Sequence, residues 1–499
     1  MNADRMLEST LEEILEVIKP LREDWAVRST IIEELKDVVS SVESLRGATV
    51  EPFGSFVSNL FTRWGDLDIS VVLSNGSYIS SAGKKHKQNL LGELLRALRQ
   101  KGGWRRLQFV PNARVPILKF ESGRQSISCD ISIDNLQGQM KSNFLFWINQ
   151  IDGRFRDMVL LVKEWAKSHN INNPKAGSLN SYSLSLLVVF HFQTCVPAIL
   201  PPLREIYPRN VVDDLTGVRT AAEKRIKEIC NANISRYMSD KYRAANRSSL
   251  SELFISFLAK FCDISSKAAE LGICTFTGQW LDIKSNMRWL PRTYAIFIED
   301  PFEQPENTAR AVSARNLKRI SEAFQMTYQR LVLANGNQGS LLSTLVRPHI
   351  LKFIAGNPVR NPSYTPMHYQ NTHLQISRAV ASPSHVHHQI KHPNHFTKQR
   401  LENHANNSNS QDQHPVQTTR LETYPKHFTK RRQGHADDTR LEKHPNYFTE
   451  KRLEKHPIHF TKQRQETHSD SLSKQRQESN PKNSTRQNPQ HIWRPKSDG

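Results

Sequence analysis

Leu7, Leu11, Ile14, Leu15 and Ile18 recur at helical spacing and predict a helix at the N-terminus. A second helix is expected over 30–45. The hydrophobic period then drops to two. Residues 68–73, 116–120 and 126–133 read as strands, and 90–100 as a helix between the first two of them. From 143 to 333 the pattern is mainly helical, with loops at 172–178 and 197–208. The fold class expected is α+β: a segment with a mixed β-sheet set into a larger helical body.

This regular patterning stops near residue 350. Residues 351–499 carry 24 Lys and Arg against 12 Asp and Glu, and 17 of the 20 His lie at or beyond His349. The stretch is rich in Asn, Gln, Ser and Pro and has few aliphatic clusters after Ile354. It cannot bury enough apolar surface to offset chain entropy, so 346–499 is expected to be a long disordered basic tail. A degenerate repeat runs through it: His392-Pro-Asn-His-Phe-Thr, Tyr424-Pro-Lys-His-Phe-Thr, His444-Pro-Asn-Tyr-Phe-Thr and His456-Pro-Ile-His-Phe-Thr. Aromatics beside cations suit an RNA- or partner-binding arm, and a drifting low-complexity tail reads the same way. The His spacing matches no zinc module.

The formal charge of the whole 499-residue chain is +21, which suits a polyanionic partner. Five Cys without a C-x-x-C pair argue against a disulfide scaffold or a Cys-rich zinc site. The N-terminus, acidic and amphipathic, lacks the features of a signal or transit peptide. The most apolar stretch, 184–200, is interrupted by His191, Gln193, Thr194 and Pro197, so no membrane span is expected.

The chemistry concentrates in one constellation. Gly54-Ser55 precedes Asp66-Leu-Asp68, which opens a strand, and a later strand carries Asp130. Asp66 and Asp68 are two apart and share a face of an extended segment. A third carboxylate from a neighbouring strand would repel both unless cations sit among them. Two Mg²⁺ or Mn²⁺ ions would satisfy the three and create a phosphoryl-transfer site. Gly54 lets the backbone approach a phosphate, and Ser55 offers a hydroxyl and an N–H. Farther on, Lys163 and Lys167 lie four apart, opposite a stripe of Val159, Val162 and Ala166.

Phe53-Gly-Ser-Phe, followed by Gly65-Asp-Leu-Asp-Ile69, resembles the nucleotidyltransferase superfamily of DNA polymerase beta. Within it the chain is similar to terminal uridylyltransferases and noncanonical poly(A) polymerases. The wording of Leu45-Arg-Gly-Ala-Thr-Val, of Ser58-Asn-Leu-Phe-Thr-Arg-Trp-Gly-Asp-Leu-Asp and of Ile151-Asp-Gly-Arg-Phe-Arg-Asp is nearest to plant enzymes that tail small RNAs lacking a 3′-terminal 2′-O-methyl group. The resemblance spans roughly 5–335 and is mostly compositional in the tail. It implies N-terminal helices over 1–45 packed on the central domain and a nucleotidyltransferase palm over 46–140. A helical, poly(A)-polymerase-associated nucleotide-recognition domain follows over 141–345. Asp66, Asp68 and Asp130 become the catalytic, metal-holding residues, and Gly54, Ser55, Lys163 and Lys167 the phosphate grip. Ser181 binds phosphate through its hydroxyl, and Tyr182 stacks the base. Asp300 and Glu303 lie near the base edge, and Arg310 closes the motif. The implied activity is template-independent addition of UMP from UTP to RNA 3′ ends, small RNAs or cleavage fragments, promoting their decay. An Argonaute-type small-RNA-binding protein is an implied partner, and cytoplasm, nucleus or RNA granules the implied location.

Two positions depart from the pattern. Many uridylyltransferases place a His where this chain has Glu306, so the usual argument for uridine over adenosine is missing and poly(A) addition stays as the alternative. Lys141 stands where relatives often have an Asn near the ribose, a contact to which Asn135 is a second candidate. A catalytically silent RNA-binding scaffold is the competing class, and the intact Asp66, Asp68 and Asp130 argue against it. A small-molecule nucleotidyltransferase is disfavoured by the long helical region and the basic tail.

Overall fold

The computed structural model describes residues 3–73, 78–79, 83–290, 293–333 and 338–356. All of these fall in one unit, 1–389. The tail repeats and the His-rich stretch lie outside the described residues.

The chain opens with α1 (Ala3–Ile18) and α2 (Arg22–Ser40), then β1 (Thr49–Phe53), a single turn α3 (Gly54–Val57), β2 (Leu67–Val72), α4 (Lys84–Lys101), β3 (Trp104–Val110), β4 (Ile117–Ser122) and β5 (Ser128–Ile133). The strands form one five-stranded sheet in the order β1-β2-β5-β4-β3. β2 and β5 run parallel and the other neighbours antiparallel, so the sheet is mixed as expected. Alternation sorts its two faces. Leu67, Ile69 and Val71 of β2 join Cys129, Ile131 and Ile133 of β5 in a core roofed by Ile31, Leu35 and Val38 of α2 and Leu91, Leu94 and Leu98 of α4. The opposite face carries Asp68, Ser70, Asp130 and Ser132.

A helical body follows: α5 (Leu136–Asn149), α6 (Arg154–Ser168), α7 (Ser181–Thr194), α8 (Leu203–Ile206), α9 (Val211–Asp214), α10 (Arg219–Ser239), α11 (Leu250–Phe261) and α12 (Ile264–Lys267). After a hairpin of β6 (Leu271–Cys274) and β7 (Gln279–Asp282) come α13 (Ala314–Leu333), α14 (Gln338–Leu345) and α15 (Pro348–Gly356). α7 is buried on every side from Ser183 to Gln193, which explains the apolar run at 184–200: it is a central core helix. Among the described residues no helix is long and apolar enough to cross a membrane.

Two details differ from the expected layout. Of the N-terminal helices only α1 joins the helical core, through Leu7, Leu11 and Ile14; α2 spends its apolar stripe on the sheet. The expected boundary at 345 also falls too early. α15 buries Ile350 and Ile354 in the helical core. Just before it, Arg347 grips the buried Glu164 of α6 with two parallel bonds of 2.9 and 2.8 Å. Glu164 is 1% exposed, and a buried carboxylate persists only with such a partner. The folded body therefore extends to Gly356.

Candidate active site

Asp68 lies beside Asp130 because the parallel β2–β5 register pairs them directly. Asp66 stands one residue before β2, exposed at the mouth of the same face. The electrostatics record their proximity. Desolvation, then the charges of Asp130 and Asp66, push the Asp68 carboxyl up to about 7. Surrounding protein and, next, Asp130 also raise Asp66. Lys119, across the β4–β5 register, pairs with one oxygen of Asp130. The other oxygen, Oδ1, is buried and has no partner among the described residues. Among the described residues no three such side chains are closed around a metal-sized position, Asp130 being turned towards Lys119. An orphaned carboxylate oxygen and mutually destabilised neighbours are nonetheless a donor set that hard divalent cations suit.

Gly54 is built into this cluster. Its φ is +68°, and a Cβ there would lie 2.1 Å from Oδ2 of Asp68. Its N–H donates to Ser142 Oγ at 2.6 Å, so that donor is already committed within the protein. The glycine admits the Asp68 carboxylate against the backbone. Ser55 follows in α3, half-buried.

Lys163 and Lys167 project from one face of α6 towards the carboxylates. Lys163 is 7% exposed and donates to the Leu60 carbonyl at 2.7 Å. Burial, then repulsion from Lys167, pulls its ammonium down to about 7, with Asp68 and Asp66 opposing. Lys167 is lowered by burial and by Arg347.

A second cluster gathers around Lys141 of α5. Its Nζ pairs with Asp300, lies 2.7 Å from Glu303 Oε2 and stands 5.5 Å from the centroid of the Tyr182 ring. The Tyr182 hydroxyl donates to Asp300 Oδ1 at 3.2 Å; burial, then the Asp300 charge, holds that phenol well above its ordinary range. Arg114, in the β3–β4 turn, forms a forked pair with Glu303 at 2.7 and 3.1 Å. Burial alone would raise Glu303, but Arg114 and Lys141 outweigh it and lower its pKa. Asn307 shapes the loop that carries these acids: it donates to Ile296 O and accepts from Ile298 N and Ala309 N.

The two clusters share α5, since Ser142 touches Gly54 and Lys141 touches Asp300. The remaining candidates lie farther out. Ser181 bonds to Asn172 at the start of α7, and Arg310 is exposed and pairs with Glu306 at 3.1 Å. Glu306, at the His position of many relatives, is half-exposed and within 3.7 Å of Arg114. Asn135 caps α5 by accepting from Gly138 N.

Sequence reasoning missed Arg28. Fully buried in α2, it donates to the carbonyls of Arg63 (3.1 Å) and Gly65 (2.5 Å) and stacks on Phe61. It thereby fixes the loop entering Asp66. A lone Arg in an amphipathic helix carries no such signal; only the fold brings it there. Arg28→Met is expected to lower stability by about 3 kcal/mol, through two unsatisfied carbonyls, and to reduce turnover more than nucleotide KM. Thermal melts and steady-state kinetics check both.

The fold and these clusters define a nucleotidyltransferase of the polymerase-beta type. Residues 7–150 match the family model "Poly(A) RNA polymerase, mitochondrial-like, central palm domain". Protein HESO1 of Arabidopsis thaliana is 65% identical over 350 residues, covering 70% of this chain and 68% of that one. Poly(A) RNA polymerase GLD2 of Mus musculus is 28% identical over 282 residues, and the chain spans 55% of its length. A solved structure of the Cid1 poly(U) polymerase with MgGTP bound is 25% identical with a TM-score of 0.53, covering 67% of this chain and 97% of that one. The structure of mtPAP in complex with UTP shares the fold at 19% identity and a TM-score of 0.55, covering 68% and 72%. The chain belongs to the terminal uridylyltransferase and noncanonical poly(A) polymerase family, and is a nucleotidyltransferase.

Proposed function

We propose that this enzyme adds uridylate from UTP to the 3′ ends of RNA, small RNAs first, without a template. The observation that carries the reading is the placement of Asp68 beside Asp130 with Asp66 at the strand entry, in a chain 65% identical to HESO1. Mg²⁺ or Mn²⁺ held by Asp66, Asp68 and Asp130 would lower the pKa of the RNA 3′ hydroxyl and neutralise the triphosphate. The chain's own groups do the rest. Lys163 and Lys167 place positive charge beside the β- and γ-phosphates, and an arriving polyanion favours the protonated form that burial opposes in Lys163. Asp130, beside the position of the 3′ hydroxyl, would help activate it through the ion it holds. Ser55 supplies a phosphate donor. Tyr182 offers its ring to the base, with Asp300 and Glu303 at the base edge; Ser181 and Arg310 complete the nucleotide side. Attack at the α-phosphorus forms the new phosphodiester and releases pyrophosphate.

The RNA end is held by the cleft, by the basic residues beyond 356, or by an Argonaute-type protein that presents it, in cytoplasm or nucleus. Adenylate addition is the second reading, favoured by Glu306 in place of His and by the kinship to GLD2. The test offers purified protein a labelled RNA 3′ end with each nucleotide separately and Mg²⁺ or Mn²⁺. Uridylate ladders are expected; adenylate ladders alone would install the second reading, and no extension would sink both.

A further inference from the structure

The recognition loop, which lacks the His of many relatives, packs its acids Asp300 and Glu303 against a half-buried ammonium from α5. The Lys141 side chain is 16% exposed, and Asp300 and Glu303 hold it from two sides. An ammonium has three N–H donors and no acceptor, so one donor remains after these two pairs. The Tyr182 ring lies 5.5 Å away, its hydroxyl fixed on the same Asp300. The cation stands over that ring's face, so a base stacked on the same face would lie against it. Neither acid is free to swing in and accept from the base instead: Asp300 also takes the Phe302 N–H at 3.0 Å, and Glu303 is forked to Arg114.

We propose that Lys141 is the uracil-reading residue of this enzyme, donating its third N–H to a carbonyl oxygen of the base. Uracil offers two such oxygens, O2 and O4. Adenine has no carbonyl: its edge sets an amino group, which cannot accept, beside a ring nitrogen at a different position, so the ammonium would lose the partner that uracil places there. A buried site built to hydrogen-bond a substrate discriminates strongly against analogues that cannot complete the bond. This deepens the uridylyltransferase reading and rests on it.

The experiment measures single-nucleotide addition to a labelled RNA end by wild type, Lys141→Met and Lys141→Gln. The substrates are UTP, ATP, 2-thio-UTP and 4-thio-UTP. The expected result is a fall of about 10–100-fold in kcat/KM for UTP in Lys141→Met, with ATP changed less than about threefold. One thio substitution should impair wild type and have no further effect on the variant, a coupling that a merely structural lysine would not produce. Lys141→Gln keeps a donor for Asp300 and Glu303; if the Met variant melts early, the same coupling is read there. A UTP-to-ATP ratio and thio sensitivity unchanged in a folded variant would overturn the inference alone. A wild type that prefers ATP would overturn it together with the uridylyltransferase reading.

Discussion

Asp68→Asn is expected to reduce nucleotide addition at least about 10³-fold while making the metal-free protein more stable at pH 8. Both effects have one cause. The folded protein holds the Asp68 carboxyl at about 7, well above the ordinary carboxylate range of about 4, because burial and the neighbouring acids penalise its charge. Where the folded pKa is raised, the native state binds more protons than the unfolded one between the two values. Stability from this group is therefore full below about pH 4, is lost as pH rises towards 7, and stays low above it. Asparagine carries no charge, so the variant should lack that decline. Added Mg²⁺ or Mn²⁺ should raise the melting temperature of wild type at pH 8 and leave that of Asp68→Asn nearly unchanged. Melting curves from pH 4 to 8, with and without the ion, test this apart from activity. A wild type whose stability ignores both pH and metal would show that the carboxylates do not form a common site.

The central strands were legible because they are apolar on one face and sit in mid-sheet. β2 and β5, with their Asp residues, stand out as acids interrupting a hydrophobic alternation. The edge strands β1 and β3 were not. β1 is short and holds Glu51 and Pro52, and β3 has an irregular register between Arg105 and Gln108 and is nowhere fully buried. Edges need little apolar pattern, and proteins often blunt them with charge and proline. The same limit applied to the site. The acids and Lys163 announced themselves through spacing and family wording. Arg28, Arg114 and the pairing of Lys141 with Asp300, a partner 159 positions away, depend on chain closure that no local pattern encodes. Gly54 was legible as a special glycine, but the Asp68 carboxylate packed against it was not.

That neighbour makes Gly54→Ala the most informative change outside the acids. Two penalties combine at this position. A φ of +68° costs an alanine about 1–2 kcal/mol relative to glycine. Its Cβ would also lie 2.1 Å from Asp68 Oδ2 and 2.9 Å from Cγ, well inside contact. Retreat is obstructed, because Ser142 holds the Gly54 N–H and the β1–β2 register holds Phe53 opposite Asp68. The carboxylate must swing away, and a shift of about 1 Å at a reacting centre costs on the order of 100-fold in rate. A loss of about 100-fold in kcat is expected, accompanied by weaker protection from melting by Mg²⁺ or Mn²⁺. Nucleotide KM should change much less, since Lys163, Lys167 and Tyr182 are untouched. A phosphate contact as the glycine's main role would reverse that split, raising KM and sparing both kcat and the response to metal.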